Sequence, residues 1–339
     1  MKSTPNQLLD YRCRLGSPTS LGRSGVSQMY HLNVLEGEGH KILQELFPQL
    51  KDKLLNEYDI HEAVQLIVDQ SLNIVKDIKY RQKHHVDSSS IDLYGDFIIN
   101  CTGRNTSSVK WLKESFNLIV PAIQIHFGLD YVTFIGERFK TGDPSLDSKH
   151  IIGYALNAPD KNAGFGITPI REIKTMDENS LGALSILLLQ CVNYEYPSND
   201  SYENLLEWIK EKLDPEYYSI FKSKKVCSPL VSYRRMIDDR KRVGQLGKKW
   251  PQNYVLLGDA ICTFNPTYGQ GMTHACRQAR ELRKIFQENC HKLKDISHIF
   301  NRRASAITEE CWLLSTTNDW KTLTLKIIKG DPEVLTRFV

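Results

Sequence analysis

The stretch LLGDAICTFNPTYGQGMTHA, residues 256–275, constrains the fold more than any other part of the chain. Its apolar start reads as a buried strand that stops at Gly258 and leaves Asp259 at the C-terminal edge, where ligands sit in open α/β sheets. Pro266 fixes its own φ, while Gly269 and Gly271 permit backbone conformations and a close ligand approach that a Cβ would block. A helix beginning just after Gly271, near Met272, aims its unpaired N–H groups and positive dipole end at whatever occupies the loop. An anionic or electron-rich ligand edge is favoured there. Asp259, an acceptor-only carboxylate, is suited to ligand hydroxyls. Taken singly, the Gly-Asp-Ala step also reads as a capped strand end and the Gly-Gln-Gly step as a tight turn. The combination in one strand, turn and helix unit points to a ligand.

The 339 residues leave room for roughly two domains at about 150 residues each. A net charge of +4 with 25% charged and 41% hydrophobic residues argues against wholesale nucleic-acid binding. No apolar leader follows MKSTPNQLLDYRCRLG, and the longest apolar stretch, LGALSILLLQCV at 181–192, is shorter than the ~20 residues that span a bilayer. The eight cysteines are scattered without a CxxC pair, which suits reduced thiols and a cytoplasmic protein.

Residues 1–27 are polar and turn-rich. Ile42, Leu43, Leu46, Leu50 and Leu54 then predict two short helices meeting at Pro48. Residues 60–82 mix helical spacing with a β-branched run at Ile74 and Val75, and 83–95 reads as a hairpin or loop. DFIIN at 96–100 reads as a fully buried strand. Strand candidates at 122–139, 150–159 and 185–196 predict an antiparallel sheet with one covered face. Residues 200–222 form an amphipathic helical segment with Leu205, Leu206, Ile209 and Leu213 on one side, and helix dominates from 271 to about 325.

The 256–275 stretch resembles the second flavin fingerprint of FAD-dependent monooxygenases and oxidoreductases of the aromatic-hydroxylase and geranylgeranyl-reductase type, in a branch reading roughly GDAxCxFNPxYGQGM. The resemblance implies that Asp259 holds the flavin ribityl chain and that Gly269 to Met272 lie against the ring, where the helix dipole favours the reduced anion. Residues 96–112, DFIINCTGRNTSSVKWL, are similar to the family's strand and DATGR element. There Thr102, Gly103, Arg104 and Trp111 match, and Asn100 and Cys101 replace the usual Asp and Ala. Residues 22–48 resemble the segment after the first βαβ unit, through Gly25, Val26, Gln28, His31, Leu43 and ELFP at 45–48. The implied cofactor-binding residues are Gly258, Asp259, Pro266, Gly269, Gln270, Gly271, Met272, Thr102, Gly103 and Arg104. FAD is the implied cofactor and NAD(P)H the reductant.

The GxGxxG turn that would hold the FAD pyrophosphate is not found; the nearest string, GEGHKI at 37–42, has Ile42 at the third glycine position. The expected fold class is therefore α/β (α+β): a truncated FAD/NAD(P)-binding Rossmann-like domain, an inserted antiparallel β-sheet substrate domain and C-terminal helices. The expected domains are a partial FAD-binding domain at 1–105, a β-rich substrate domain at 106–235, and the second fingerprint with the C-terminal helices at 236–339. The family implies a monooxygenase or reductase acting on an organic small molecule or lipid. The rival is a non-catalytic remnant or binding protein that has lost tight FAD binding. In this family the flavin carries the chemistry, so no side chain is singled out as an acid or base. HEAVQ at 61–65 lacks the second histidine of HExxH because Gln65 stands there, so no metal site is expected, and His84 and His85 read as a solvated loop. RRMIDDRKR at 234–242 reads as a solvated face of mixed sign, with its arginines meeting an anionic substrate or an NAD(P)H phosphate as the second reading.

Overall fold

A computed structural model describes residue 42 and residues 61–82, 90–138, 141–147, 152–169, 184–234, 237–289 and 293–330. The helices expected around Pro48, the matches from Gly25 to His31 and at Leu43 to Pro48, and His84 and His85 lie outside them. In chain order the elements are β1 (His61–Asp69), β2 (Ile74–Gln82), β3 (Ile91–Tyr94), β4 (Ile98–Asn100), α1 (Ser108–Phe116), β5 (Ala122–His126), β6 (Asp130–Glu137) and the single turn α2 (Pro144–Asp147). They continue as β7 (Ile152–Tyr154), β8 (Ala163–Pro169), β9 (Leu184–Cys191), α3 (Tyr202–Lys212), α4 (Pro215–Lys222), β10 (Val231–Tyr233) and β11 (Ile237–Lys241). The last are β12 (Tyr254–Leu256), β13 (Cys262–Thr263), α5 (Gln270–Glu288), α6 (Ile296–Asp319) and β14 (Lys326–Lys329). Internal contacts divide the described residues into two units, one within 127–234 with 320–325, the other within 42–126 and 237–319 with 326–330. Residues 106–126, with α1 and β5, therefore group with the second unit rather than with the β-rich segment.

The first unit is a five-stranded antiparallel sheet in the order β10-β6-β9-β8-β7. Along β9 alternate side chains turn inward, and Leu187 and Leu189 are fully buried in one cluster with Leu205 and Ile209 of α3 and Ile220 and Phe221 of α4. Burial of each such side chain stabilises the fold by about 1.5–3 kcal/mol relative to exposure. The expected helical segment at 200–222 is two helices. Ser201 caps α3 by accepting from the Asn204 N–H at 3.1 Å, and Pro215 takes the opening position of α4, where its missing N–H costs no helical bond. The expectation of one covered face needs correction at β6. Seven of its eight residues are buried, because its other side packs Tyr131 against Tyr233, with ring centroids 5.0 Å apart, and Ile135 against Val231.

In the second unit the ambiguous 60–82 stretch is a hairpin of β1 and β2, extended by β3 into an antiparallel meander. The decisive residues are in its turn. The Asp69 carboxylate accepts from the Ser71 N–H at 3.0 Å and the Leu72 N–H at 3.1 Å, and Asn73 takes a left-handed φ of 51°. HEAVQ thus lies on a strand, without the helical spacing an HExxH site needs. Asn253 ties the hairpin to the next layer, accepting from the Val75 N–H at 2.9 Å and donating to the Val75 and Asp96 carbonyls. β4 and β12 form a parallel pair; β4 leads through a turn into α1, whereas β12 leads through a 3-10 turn, the short β13 and a second 3-10 turn before α5 begins. A four-stranded sheet in the order β13-β11-β5-β14 lies in the same unit. α5 and α6 run antiparallel over a core of Val255, Leu282, Ile285, Ile296, Phe300 and Ala304, and Arg303 of α6 bridges Glu281 and Glu288 of α5. Among the described residues no helix is long and apolar enough to cross a membrane.

Candidate functional site

The C-terminal ends of β4 and β12 lie side by side, and the Leu257 N–H extends their pairing by donating to the Asn100 carbonyl at 3.0 Å. Thr102, Gly103 and Arg104 leave β4 at the same edge where Gly258 and Asp259 leave β12. Asn100, which stands where the resembling family has an aspartate, is fully engaged. Its amide donates to the Ser108 hydroxyl at 2.6 Å and the Tyr254 hydroxyl at 2.9 Å, and its Oδ1 accepts from the Thr102 N–H and hydroxyl at 2.9 and 2.7 Å. A carboxylate at this position could only accept. The amide fixes the Thr102 turn to α1 and to β12 at once, and Gly103, with φ of 79°, has no heavy atom within 4 Å of where a Cβ would stand.

Gly258 turns the chain with φ of 64°, and a Cβ there would lie 3.2 Å from the Ala275 Cβ, so a bare backbone allows α5 to sit close to the strand end. Its N–H donates to the Oε1 of the fully buried Gln278 at 2.8 Å. The Gln278 amide also contacts His274 at 2.9 Å, whose pKa burial lowers to about 3, with Arg277 and Arg240 adding to the shift; this imidazole stays neutral.

Asp259 is half-buried in a short 3-10 turn, Gly258–Ala260. Its Oδ1 would lie 3.5 Å from a Cβ placed on Gly271, so the carboxylate faces the first turn of α5. Burial pushes its pKa up, and the cations of Arg104 and Lys241 pull it back. α5 starts at Gln270, two residues earlier than the sequence predicts. Gly269 is its N-cap in the left-handed region, with φ of 65° and no side-chain cap, and no acidic residue stands in the first turn. The first N–H groups of this 19-residue helix are thus not capped by a side chain of their own turn. The preceding Pro266–Tyr268 turn is set by Asn265, whose side chain accepts from the Thr267 N–H at 3.0 Å, and Gln270 donates to the Tyr268 carbonyl. Pro266 and Met272 are exposed.

Sequence reasoning missed a buried acid pair behind that turn. β11 is flanked by β13 and β5 in the sheet, so within the run at 234–242 the strand residues Asp238, Arg240 and Lys241 are buried rather than solvated, while Arg234 is exposed. Asp238 of β11 is completely buried, and Asp319 at the end of α6 is 3% exposed. The Asn265 amide donates to Asp319 Oδ1 at 2.6 Å, while Asp319 Oδ2 and both Asp238 oxygens lack a hydrogen bond of ordinary geometry among the described residues. Two neighbouring carboxyls buried this deeply resist ionising together. Burial, then the like charge of Asp319, drive the Asp238 pKa well up against the opposing pull of Arg104; burial raises Asp319 to about 7. Burial and the same two carboxyls raise Tyr268 as well. The only sequence signal was Asp238 itself, placed two residues into a strand whose neighbours a single sequence does not reveal.

No family model matches the chain. It is 34% identical over 280 residues to Protein Rv3254 of Mycobacterium tuberculosis (strain ATCC 25618 / H37Rv), covering 82% of this chain and 54% of that protein. The chain thus spans about half the length of this relative. Among solved structures, the flavin-dependent brominase Bmp2 superposes with a TM-score of 0.53 at 14% identity, over 77% of this chain and 58% of that one. The chain shares the fold of FAD-dependent halogenases and monooxygenases. The FAD-dependent myxobacterial chondrochloren halogenase CndH matches at a TM-score of 0.50 and 14% identity, over 72% of this chain and 50% of its own. A FAD-containing monooxygenase from Photorhabdus luminescens subsp. laumondii TTO1 gives 0.50 and 14%, over 77% and 68%. In this chain the Asp259 turn and the Thr102–Arg104 turn leave one edge of the parallel pair.

Proposed function

We propose that the chain supplies the ribityl and ring side of a FAD site in an oxidoreductase that takes electrons from NAD(P)H and hydroxylates or reduces an organic small molecule or lipid. The observation that carries the reading is the Asp259 carboxylate set against the first turn of α5 at the ends of the parallel strands. The residues present suit that part of the cofactor. Asp259 would accept hydrogen bonds from ribityl hydroxyls, and Arg104 and Lys241 oppose the burial that raises its pKa. The uncapped α5 N–H groups, at Gly269 to Met272, would favour negative charge on the ring. Gly103 leaves open space beside the Thr102 turn. Gly258 and Gln278 hold strand and helix in register, and Gln270 and Pro266 shape the loop.

Bound FAD would supply the redox chemistry, taking two electrons from the reductant and passing them to oxygen or to a double bond. The protein's part is to orient the cofactor, to favour its reduced form electrostatically and to present a substrate. The β-rich segment, expected at 106–235 and beginning at Phe127 by its contacts, is assigned to substrate binding, and the unit that carries β4, α1, β12 and α5 to FAD.

The functional reading is tested on protein supplied with FAD under anaerobic conditions. Addition of NADPH or NADH should bleach the oxidised flavin band, and admitting air should restore it. A FAD-loaded protein that neither nucleotide bleaches contradicts the oxidoreductase reading.

A further inference from the structure

A cavity of about 260 Å³ opens in the second unit between the end of β11, the 3-10 segment Val243–Lys249 and α6. Its lining carries four cationic side chains, Arg240, Lys241, Arg242 and Arg302, and no carboxylate. Two of the four are matched from outside the wall. Arg240 pairs with Glu309, and Lys241 with Asp239 at 3.1 Å. Arg242, half-buried, donates through Nε and Nη2 to the Gln245 side-chain oxygen at 3.1 and 2.7 Å, Arg302 is exposed, and neither faces a carboxylate partner among the described residues; they approach the cavity from different elements. Gly244 lets the 3-10 backbone lie directly on α6, since a Cβ there would stand 2.5 Å from the Ser305 hydroxyl oxygen. The wall is therefore built by close packing around like charges, which repel one another until an anion enters.

We infer that this cavity binds a phosphate monoester. A guanidinium presents a planar fork of donors that matches phosphate oxygens; here Arg302 offers an open fork, Arg242 the donors that Gln245 leaves, and Arg240 and Lys241, each beside its own carboxylate, stand behind them. The volume falls below the roughly 300–1,000 Å³ of sites that enclose a whole small molecule, so the cavity takes the phosphate end of its ligand. Resting on the reading of the chain as an NAD(P)H-driven flavoprotein, one source is the ribose phosphate that distinguishes NADPH from NADH; the other is a phosphorylated substrate. Lys241 also acts on Asp259, so occupancy here would be felt at the candidate flavin site.

Inorganic phosphate titrated into the purified full chain by calorimetry is the test. Arg242→Gln and Arg302→Gln should each weaken binding by about tenfold or more, the usual effect of losing a charge-assisted hydrogen bond. Arg302 is exposed, so Arg302→Gln should keep the wild-type melting temperature even if Arg242→Gln does not. Displacement of phosphate by NADPH and not NADH identifies the dinucleotide source, and displacement by neither identifies a phosphorylated substrate. Equal displacement by both, no phosphate binding to folded protein, or unchanged affinity in Arg302→Gln overturns the inference. The titration needs no flavin. Phosphate binding by a protein that takes up no FAD leaves the cavity assignment standing and removes the flavin reading, and FAD uptake without phosphate binding does the reverse.

Discussion

Replacing Asp259 by alanine should weaken FAD binding by about tenfold to a hundredfold, the effect of deleting a charged hydrogen-bond partner worth roughly 1.5–3 kcal/mol. The side chain is half-buried, faces the start of α5 and carries no core packing that alanine would forfeit. The fold should therefore survive, and the loss should appear in the dissociation constant rather than in the melting temperature of the flavin-free protein. Asp259→Asn keeps one acceptor and gives up the charge held by Arg104 and Lys241, so an intermediate loss is expected. Fluorescence titration with FAD measures all three proteins. Equal affinities for wild type and Asp259→Ala would remove this residue from the cofactor site.

The second large effect concerns the pair Asp238 and Asp319. Their folded-state pKa values are raised, so the native protein keeps a proton that the unfolded chain releases. For a group shifted in this direction, the stabilising contribution is complete below the unfolded carboxylate pKa, about 3.9, and is lost as pH rises through the folded value, about 7 for Asp319. Each pH unit in that window costs about 1.4 kcal/mol per retained proton. Asp238→Asn places a neutral donor beside Asp319 and removes the need for that proton. Its stability relative to wild type should rise from pH 5 to pH 8, by about 2–4 kcal/mol if one proton is at stake. Urea unfolding of both proteins across this range reads the difference directly. A difference that stays flat with pH would show that the pair holds no proton. Because Asn265 connects Asp319 to the turn before α5, the same substitution tests how far that turn depends on the buried acids.

Local chemistry made the candidate site legible. Gly258 and Gly269 both adopt the left-handed conformations that glycine permits, and the turns at Asp259 and before α5 follow from residues adjacent in sequence, whereas β13 between them does not. α5 begins early because the left-handed Gly269 caps it, a detail of backbone geometry that periodicity does not encode. Long-range placement was not legible. Nothing near Asp238 announces that β13 and β5 will cover its strand, and a run of alternating charges reads as surface until those neighbours are known. β6 likewise reads as half-covered until β10 brings Tyr233 and Val231 onto its second face. Residues 60–82 were ambiguous because the carboxylate of Asp69, closing the turn, outweighed a helical spacing of apolar side chains.

Gel filtration of the purified chain after incubation with FAD, monitored by flavin absorbance, addresses the FAD site most directly. The oxidised flavin spectrum should travel with the protein peak and be diminished for Asp259→Ala. A folded wild-type protein that elutes colourless, with all FAD in the small-molecule fraction, would contradict a flavin site at the Asp259 turn.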